Sequence, residues 1–313
     1  MKVAIIGAGI TGLYLAWKLA EKGEEVKVFE KKEKIGKEVC SGLFSERILK
    51  FIPESKKLIQ NQIESCLIHF PKRTLKINFS RQFLVMSHFE LDNLVKNKAQ
   101  RAGAKIILNY NVTKQGLVTL QNGFERVIGC DGANSVVREK LGLPTPDYRL
   151  AIQGFIPKSD YSSYVETWPV KQGFIWKIPR KKEIEYGIIA SPKEAKLLFE
   201  EFLKENNLHL ERINSAIVPQ GLIIPSHSTI TLCGDAAGLT KPWSGGGVIW
   251  GLIAADLLLK NFPDFLKYQK EIKKFFSVKI LFSKIATKMV YFFGFKIPWI
   301  LPKNYKIESD FLM

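Results

Sequence analysis

The run Gly7-Ala8-Gly9-Ile10-Thr11-Gly12 constrains the fold more than any other feature of the 313-residue chain. It follows a short apolar strand, Lys2 to Ile6, and opens a helix whose apolar period runs through Leu13, Ala16, Trp17 and Leu19. Gly23 closes that helix, and Glu25 to Glu30 reads as a second strand. A glycine turn inside a β-α-β unit is the start of a dinucleotide-binding fold. Gly7 permits the tight turn, Gly9 lets backbone approach a pyrophosphate, and Gly12 lets helix and strand pack closely. Thr11 and the helix amino terminus present N–H groups and a positive dipole end to phosphate. Glu30 ends the second strand, 18 residues after Gly12. A carboxylate there accepts ribose hydroxyls and repels a 2′-phosphate, so FAD or NAD is favoured over NADP.

A second glycine-rich element lies far downstream. Cys233-Gly234-Asp235-Ala236-Ala237-Gly238 is followed by Pro242 and by Gly245-Gly246-Gly247. Asp235 is placed to bond the hydroxyls of a ribityl chain. The N–H groups of Gly246, Gly247 and Val248 open a helix and can face a phosphate or the flavin edge where charge develops on reduction. Two grips from opposite ends of one chain point to FAD. Between them, Cys130-Asp131-Gly132-Ala133-Asn134-Ser135 with Arg138 follows a strand and opens a helix. Asp131 serves either as its cap or as a contact near the cofactor.

The rest of the chain divides by texture. Nucleotide-binding segments are expected at residues 1–62, 80–147 and 229–262. A substrate domain is expected at 63–79 and 148–228, where strand-like runs alternate between turns and one helix begins at Pro192. Val118 to Leu120 and Glu125 to Cys130 read as a hairpin. Residues 263–313 read as carboxy-terminal helices. The fold class is therefore α/β, α+β overall: a Rossmann-type FAD-binding domain interleaved with an antiparallel-sheet substrate domain.

Cys40, Cys66, Cys130 and Cys233 form no CxxC pair, and the four histidines are scattered, so a reduced intracellular protein with no metal is expected. A strand at the start of the chain argues against a signal peptide, and no apolar run reaches the ~18 residues of a membrane span. The net charge is +17, and residues 260–313 hold 11 Lys against 4 acidic residues. That segment is also rich in Phe, Ile and Leu, which favours an anionic lipid surface over nucleic acid.

In this order, the starting fingerprint with Glu30, the Asp131-Gly132 element and the Gly234-Asp235 element resemble the para-hydroxybenzoate hydroxylase-like FAD proteins. Within that group, Pro242-x-x-Gly245-Gly246-Gly247-Val248 resembles the geranylgeranyl reductase family. Gly173-Phe174-Ile175-Trp176-Lys177-Ile178-Pro179 is similar to that family's tyrosine-x-tryptophan-x-phenylalanine-proline substrate motif, with Phe174 and Ile178 as departures. The resemblance covers about residues 1–260. It implies reduction of isoprenoid double bonds by hydride from FADH2, a polyprenyl lipid substrate, and an external donor, NAD(P)H or ferredoxin.

The resemblance also places Cys40-Ser41-Gly42 beside the flavin, with Cys40 as a contact or proton donor. His88 stands where the family carries an arginine, and Val112 at the backbone position that holds adenine. An isolated alkene is a poor electrophile, so a dry apolar tunnel is required. Phe155, Tyr164, Trp168, Phe174 and Trp176 are its candidate walls, with Trp243 near the flavin edge. A cytoplasmic protein, peripheral on the inner membrane face, is the implied location. The rival readings are an aromatic-ring monooxygenase of the same fold and a tRNA-binding flavoprotein or lipid carrier.

Overall fold

The structure, a computed structural model, describes residues 1–37, 39–308 and 310. Its first sheet is wholly parallel, in the order Ile230–Leu232, Arg126–Gly129, Lys2–Ile6, Glu25–Phe29, Lys105–Ile107. Val3, Ala4, Ile5 and Ile6 are all buried, as in strands covered on both faces. The helix Ile10–Glu21 packs against the helices His88–Arg101 and Val248–Asn261. Segments from the beginning, middle and late chain thus share one core.

The second sheet runs Glu211–Gln220, Asp147–Ile156, Ile184–Ala190, Gly173–Pro179, Tyr164–Val170, Ile59–Phe70, Arg73–Met86, Asn304–Ile307. It is antiparallel except where Ile59–Phe70 meets Tyr164–Val170 and where Asn304–Ile307 meets Arg73–Met86. The period of two sorts its side chains. Trp176, Ile178 and Ile189 join one apolar cluster, while Ile175, Tyr186 and Ile188 join another under the helix Ala195–Glu205. Phe199 of that helix is buried there, an insertion worth about 1.5–3 kcal/mol.

Several local expectations are corrected. The strands flanking Pro71 extend to Ile59 and Met86, beyond the expected 63–79, because bulges near Ile59/Asn61 and Ile63/Ser65 interrupt the alternation without ending the pairing. Residues 118–120 belong to the helix Lys114–Gly123, not to a hairpin. Thr113 caps it through Gly116 N–H, and Leu117 and Leu120 share its buried face. The helix expected from Pro192 begins at Ala195. Residues 263–313 are not helical throughout, since Asn304–Ile307 adds a parallel strand to the second sheet.

Candidate functional site

One cavity of about 1230 Å³ runs between the two sheets. At its nucleotide end, Gly7 has φ +101°, and a Cβ there would lie 2.7 Å from the Cys130 carbonyl carbon. A Cβ on Gly12 would collide with the Gly7 carbonyl, so Gly12 serves packing and does not line the cavity. Gly9 lines it, with no atom within 4 Å of where a Cβ would stand. No side chain caps the helix that begins at Ile10, which leaves its first N–H groups for a ligand. Glu30 lines the same end, fixed by Ala8 N–H at 2.7 Å and Lys32 N–H at 3.0 Å. Val112, buried, lies on the same wall.

The downstream element faces this turn. Gly234 has φ +67°, and a Cβ on it would press within 2.8 Å of Thr11 Oγ1; one on Gly251 would come within 2.7 Å. Thr11 is therefore the wedge on which the two grips meet. Asp235 Oδ2 lies 3.4 Å from Lys37 Nζ, and a Cβ on Gly247 would come within 2.7 Å of Asp235 Oδ1. The Asp235 carboxylate raises the Lys37 ammonium above its ordinary range. Gly246, Gly247 and Val248 line the cavity at a helix start that no side chain caps.

Asp131 also lines it. Its Oδ2 accepts from Val137 N–H at 3.2 Å, while Oδ1 is buried without a hydrogen-bond partner. Burial pushes this carboxyl up. Ser135 is the actual cap of the short helix. Arg138 is a buried strap, donating to Ala236 O at 2.8 Å and Ala133 O at 2.6 Å.

The Cys40 loop is braced from the substrate sheet. Gly42 has φ +59°, and Arg180 Nη2 donates to Ser41 O at 2.6 Å. Arg180 Nε donates to Glu185 Oε2 at 2.7 Å, and Trp176 Nε1 donates to Glu185 Oε1 at 2.9 Å. Cys40 and Ser41 line the cavity beside His88, whose Nε2 is 3.3 Å from Asp92 Oδ1. Asp92 Oδ2 accepts from Lys37 N–H at 2.9 Å. Burial alone would push the Cys40 thiol up, but the His88 imidazolium, Lys37 and the Gly42 N–H hold it below its ordinary value. Burial works against the imidazolium, yet the Asp92 carboxylate and the Cys40 thiolate raise His88 to about 10. This corner can hold and pass a proton.

Beyond it the walls are apolar. Phe174, Trp176 and Ile178 alternate into the cavity, with Val165 and Thr167 on the neighbouring strand. Trp168 does not join them. It pairs with Ile175, so it faces the other side, stacking on His69 at 5.1 Å and packing on Phe202. Phe155 sits under Arg212 and Arg180, and Tyr164 is exposed at the sheet rim; neither lines the cavity. Trp243 does, packed edge-on to Trp250.

Four contributors escaped the sequence reading. Asp92 is one, although its i,i+4 spacing from His88 on one helix was visible. The Arg180–Glu185 brace, Gly187 beneath the Trp176 ring, and the cavity-facing side of the expected helix, here Phe265–Lys296, are the others. Ala286, Thr287, Val290 and Tyr291 of that helix wall the cavity, and Tyr291 Oη donates to Gly173 O at 2.6 Å.

Residues 5–42 match the family described as NAD(P)-binding Rossmann-like domain. Digeranylgeranylglycerophospholipid reductase 1 of Methanosphaera stadtmanae is 26% identical over 314 residues, covering 86% of this chain and 77% of that protein. The digeranylgeranylglycerophospholipid reductase of Methanosarcina mazei is 25% identical, covering 82% and 73%. The chain is a relative of the archaeal digeranylgeranylglycerophospholipid reductases.

Among solved structures, a geranylgeranyl bacteriochlorophyll reductase-like protein from Thermoplasma acidophilum superposes with a TM-score of 0.76 at 21% identity, over 92% of this chain and 86% of that one. A tryptophan 6-halogenase from Streptomyces toxytricini superposes at 0.73 and 14% identity, over 93% and 79%. The fold is shared with flavin-dependent enzymes, among them a myxobacterial FAD-dependent halogenase at a TM-score of 0.68 and 14% identity, and FAD is the cofactor to test against this site. The residues present fit it: an open Gly9, a fixed Glu30 and an orphaned Asp131 oxygen.

Proposed function

We propose that this chain is an FAD-dependent reductase that saturates isoprenoid double bonds, with geranylgeranyl chains of membrane glycerolipids as substrate. One observation carries the reading. A single cavity joins the two-ended dinucleotide grip to an apolar chamber, and its roughly 1230 Å³ exceeds the ~300–1,000 Å³ of an ordinary one-ligand pocket. It has room for a cofactor and a chain together.

In this reading Gly9 and the Ile10 helix start take the pyrophosphate, Glu30 the adenosine ribose, and Val112 backbone the adenine. Asp235 takes the ribityl hydroxyls, and Gly246 to Val248 face the flavin edge. Reduced FAD, when bound, supplies the hydride that adds to one alkene carbon. The proton for the other carbon is held by the Cys40–His88 pair at the wall. Cys40 faces the cavity, and His88, kept charged by Asp92, restores its proton. Phe174, Trp176 and Ile178 exclude water and hold the chain, and Trp243 closes the flavin side.

Mass spectrometry of lipids from cells with and without the protein tests the reading. It expects prenyl chains lighter by one H2 per double bond when the protein is missing. An unchanged pattern from cells in which the protein carries its flavin refutes it.

A further inference from the structure

The helix Phe265–Lys296 has three faces. In its first half, Phe265, Tyr268, Ile272 and Phe276 are buried against the nucleotide-binding core. In its second half, one face walls the cavity through Ala286, Thr287, Val290 and Tyr291. The opposite face carries Val278, Leu281, Phe282, Ile285, Met289 and Phe292, all exposed, with Phe282 at 68%. Their spacings of three and four residues draw one stripe along the helix. Trp299 and Ile300, exposed at 67% and 58%, continue the apolar surface past its end. Scattered apolar residues on a surface need no explanation, but a contiguous stripe does.

The charge around the stripe says what covers it. From residue 272 to 307 there is no Asp or Glu, and there are 8 lysines. At 100° per residue, Lys284 and Lys288 fall on one flank, between the exposed stripe and the cavity face. An apolar band edged by basic side chains fits the boundary between acyl chains and anionic headgroups. A second copy of this chain would bring the same lysines against these. No helix among the described residues is long and apolar enough to cross a membrane.

The cavity reaches the surface along an edge of this same helix. Val290 and Tyr305 both line it and are exposed, at 38% and 56%. We infer that the outer face of Phe265–Lys296, with Trp299 and Ile300, lies in the surface of an anionic bilayer. There the cavity mouth meets the leaflet, and a lipid chain passes from acyl layer to cavity without crossing water. The surface binds by the stripe and the lysines. Its role as an entry for substrate rests on the reductase reading above.

Flotation of the full chain with vesicles tests the inference independently of activity. Vesicles of phosphatidylglycerol mixed with phosphatidylcholine should carry the protein up, and pure phosphatidylcholine should carry far less. The double variant Phe282→Glu/Phe292→Glu should bind at least tenfold more weakly while melting as the wild type does. Lys284→Glu/Lys288→Glu should also lose binding, roughly fivefold or more per lysine at low salt, with the difference shrinking as salt rises.

Equal binding to both vesicle types, or no effect of either double variant, overturns the proposal. So does light scattering that shows a dimer abolished by Phe282→Glu/Phe292→Glu, which would give the stripe to a second copy. Vesicle binding as expected in a protein that reduces no lipid would leave this surface standing and remove only the reductase reading.

Discussion

Replacing Gly187 by alanine tests whether the Trp176 wall is rigid. Gly187 sits opposite Trp176 in a strand, Ile184–Ala190, whose seven residues are all buried. A Cβ there would collide with Trp176 Cζ2, and would lie 2.5 Å from Cε2 and 2.7 Å from Ile152 O. The indole has little freedom to move aside. Its Nε1 is tied to Glu185, which is fully buried and held in turn by Arg180. Overpacking of this kind costs about 1–3 kcal/mol. If the ring turns, the buried Glu185 carboxylate loses a donor, for about 1–3 kcal/mol more.

The sum of about 2–6 kcal/mol should lower Tm by roughly 3–9 °C for a chain of this size. Calorimetry measures the shift, and near-ultraviolet circular dichroism reports the tryptophan. Gly123→Ala is the control. Gly123 ends a helix with no atom within 4 Å of its absent Cβ, and alanine there should be neutral or stabilising by up to about 1 kcal/mol. If Gly187→Ala melts with Gly123→Ala and leaves the tryptophan signal unchanged, the braced-wall argument is wrong.

Cys40 should alkylate with a pH midpoint below that of an ordinary thiol, and His88→Gln should move the midpoint up; identical profiles would remove the ion pair. Cys66 and Cys233, pushed by burial to about 12, should stay unreactive at neutral pH. Because the folded state raises His88 to about 10, its stabilisation is whole below the ordinary histidine value and disappears as pH climbs through 10. Urea titrations of wild type and His88→Gln should therefore converge in strong base, and a constant gap would contradict this. Asp310→Ala should cost about 3–5 kcal/mol, because it strands the buried Lys241 ammonium; an unchanged urea midpoint would count against that pair. Asp235→Ala should purify with less flavin, as measured by absorbance per protein, and full retention would remove its proposed ribityl contact.

The nucleotide end was legible because glycine chemistry is local. Gly7, Gly9, Gly12 and Glu30 lie within one β-α-β unit, and their spacing alone determines which atoms meet. The inward direction of Phe174 and Trp176 follows from the period of two along one strand. Trp168 shows where that logic stops. Its strand alternates equally well, but the face it takes depends on its pairing with Ile175, a register that no local pattern contains. The Arg180–Glu185–Trp176 brace was invisible for a related reason, since a buried carboxylate is recognised only when its partners are in place. The helix Phe265–Lys296 read as basic and apolar, which gave its outer face but not its inner one. Phe70 and Gly173, which it packs against and bonds, lie far away in sequence.

The central claim is that one cavity brings reduced flavin and an isoprenoid chain together. A single anaerobic turnover tests it most directly. The purified holoprotein, reduced with dithionite and freed of excess, is mixed with a geranylgeranyl glycerolipid. Oxidised-flavin absorbance should return without oxygen, with one double bond lost per flavin. A flavin that stays reduced until oxygen is admitted, and then yields a hydroxylated product, would contradict the account.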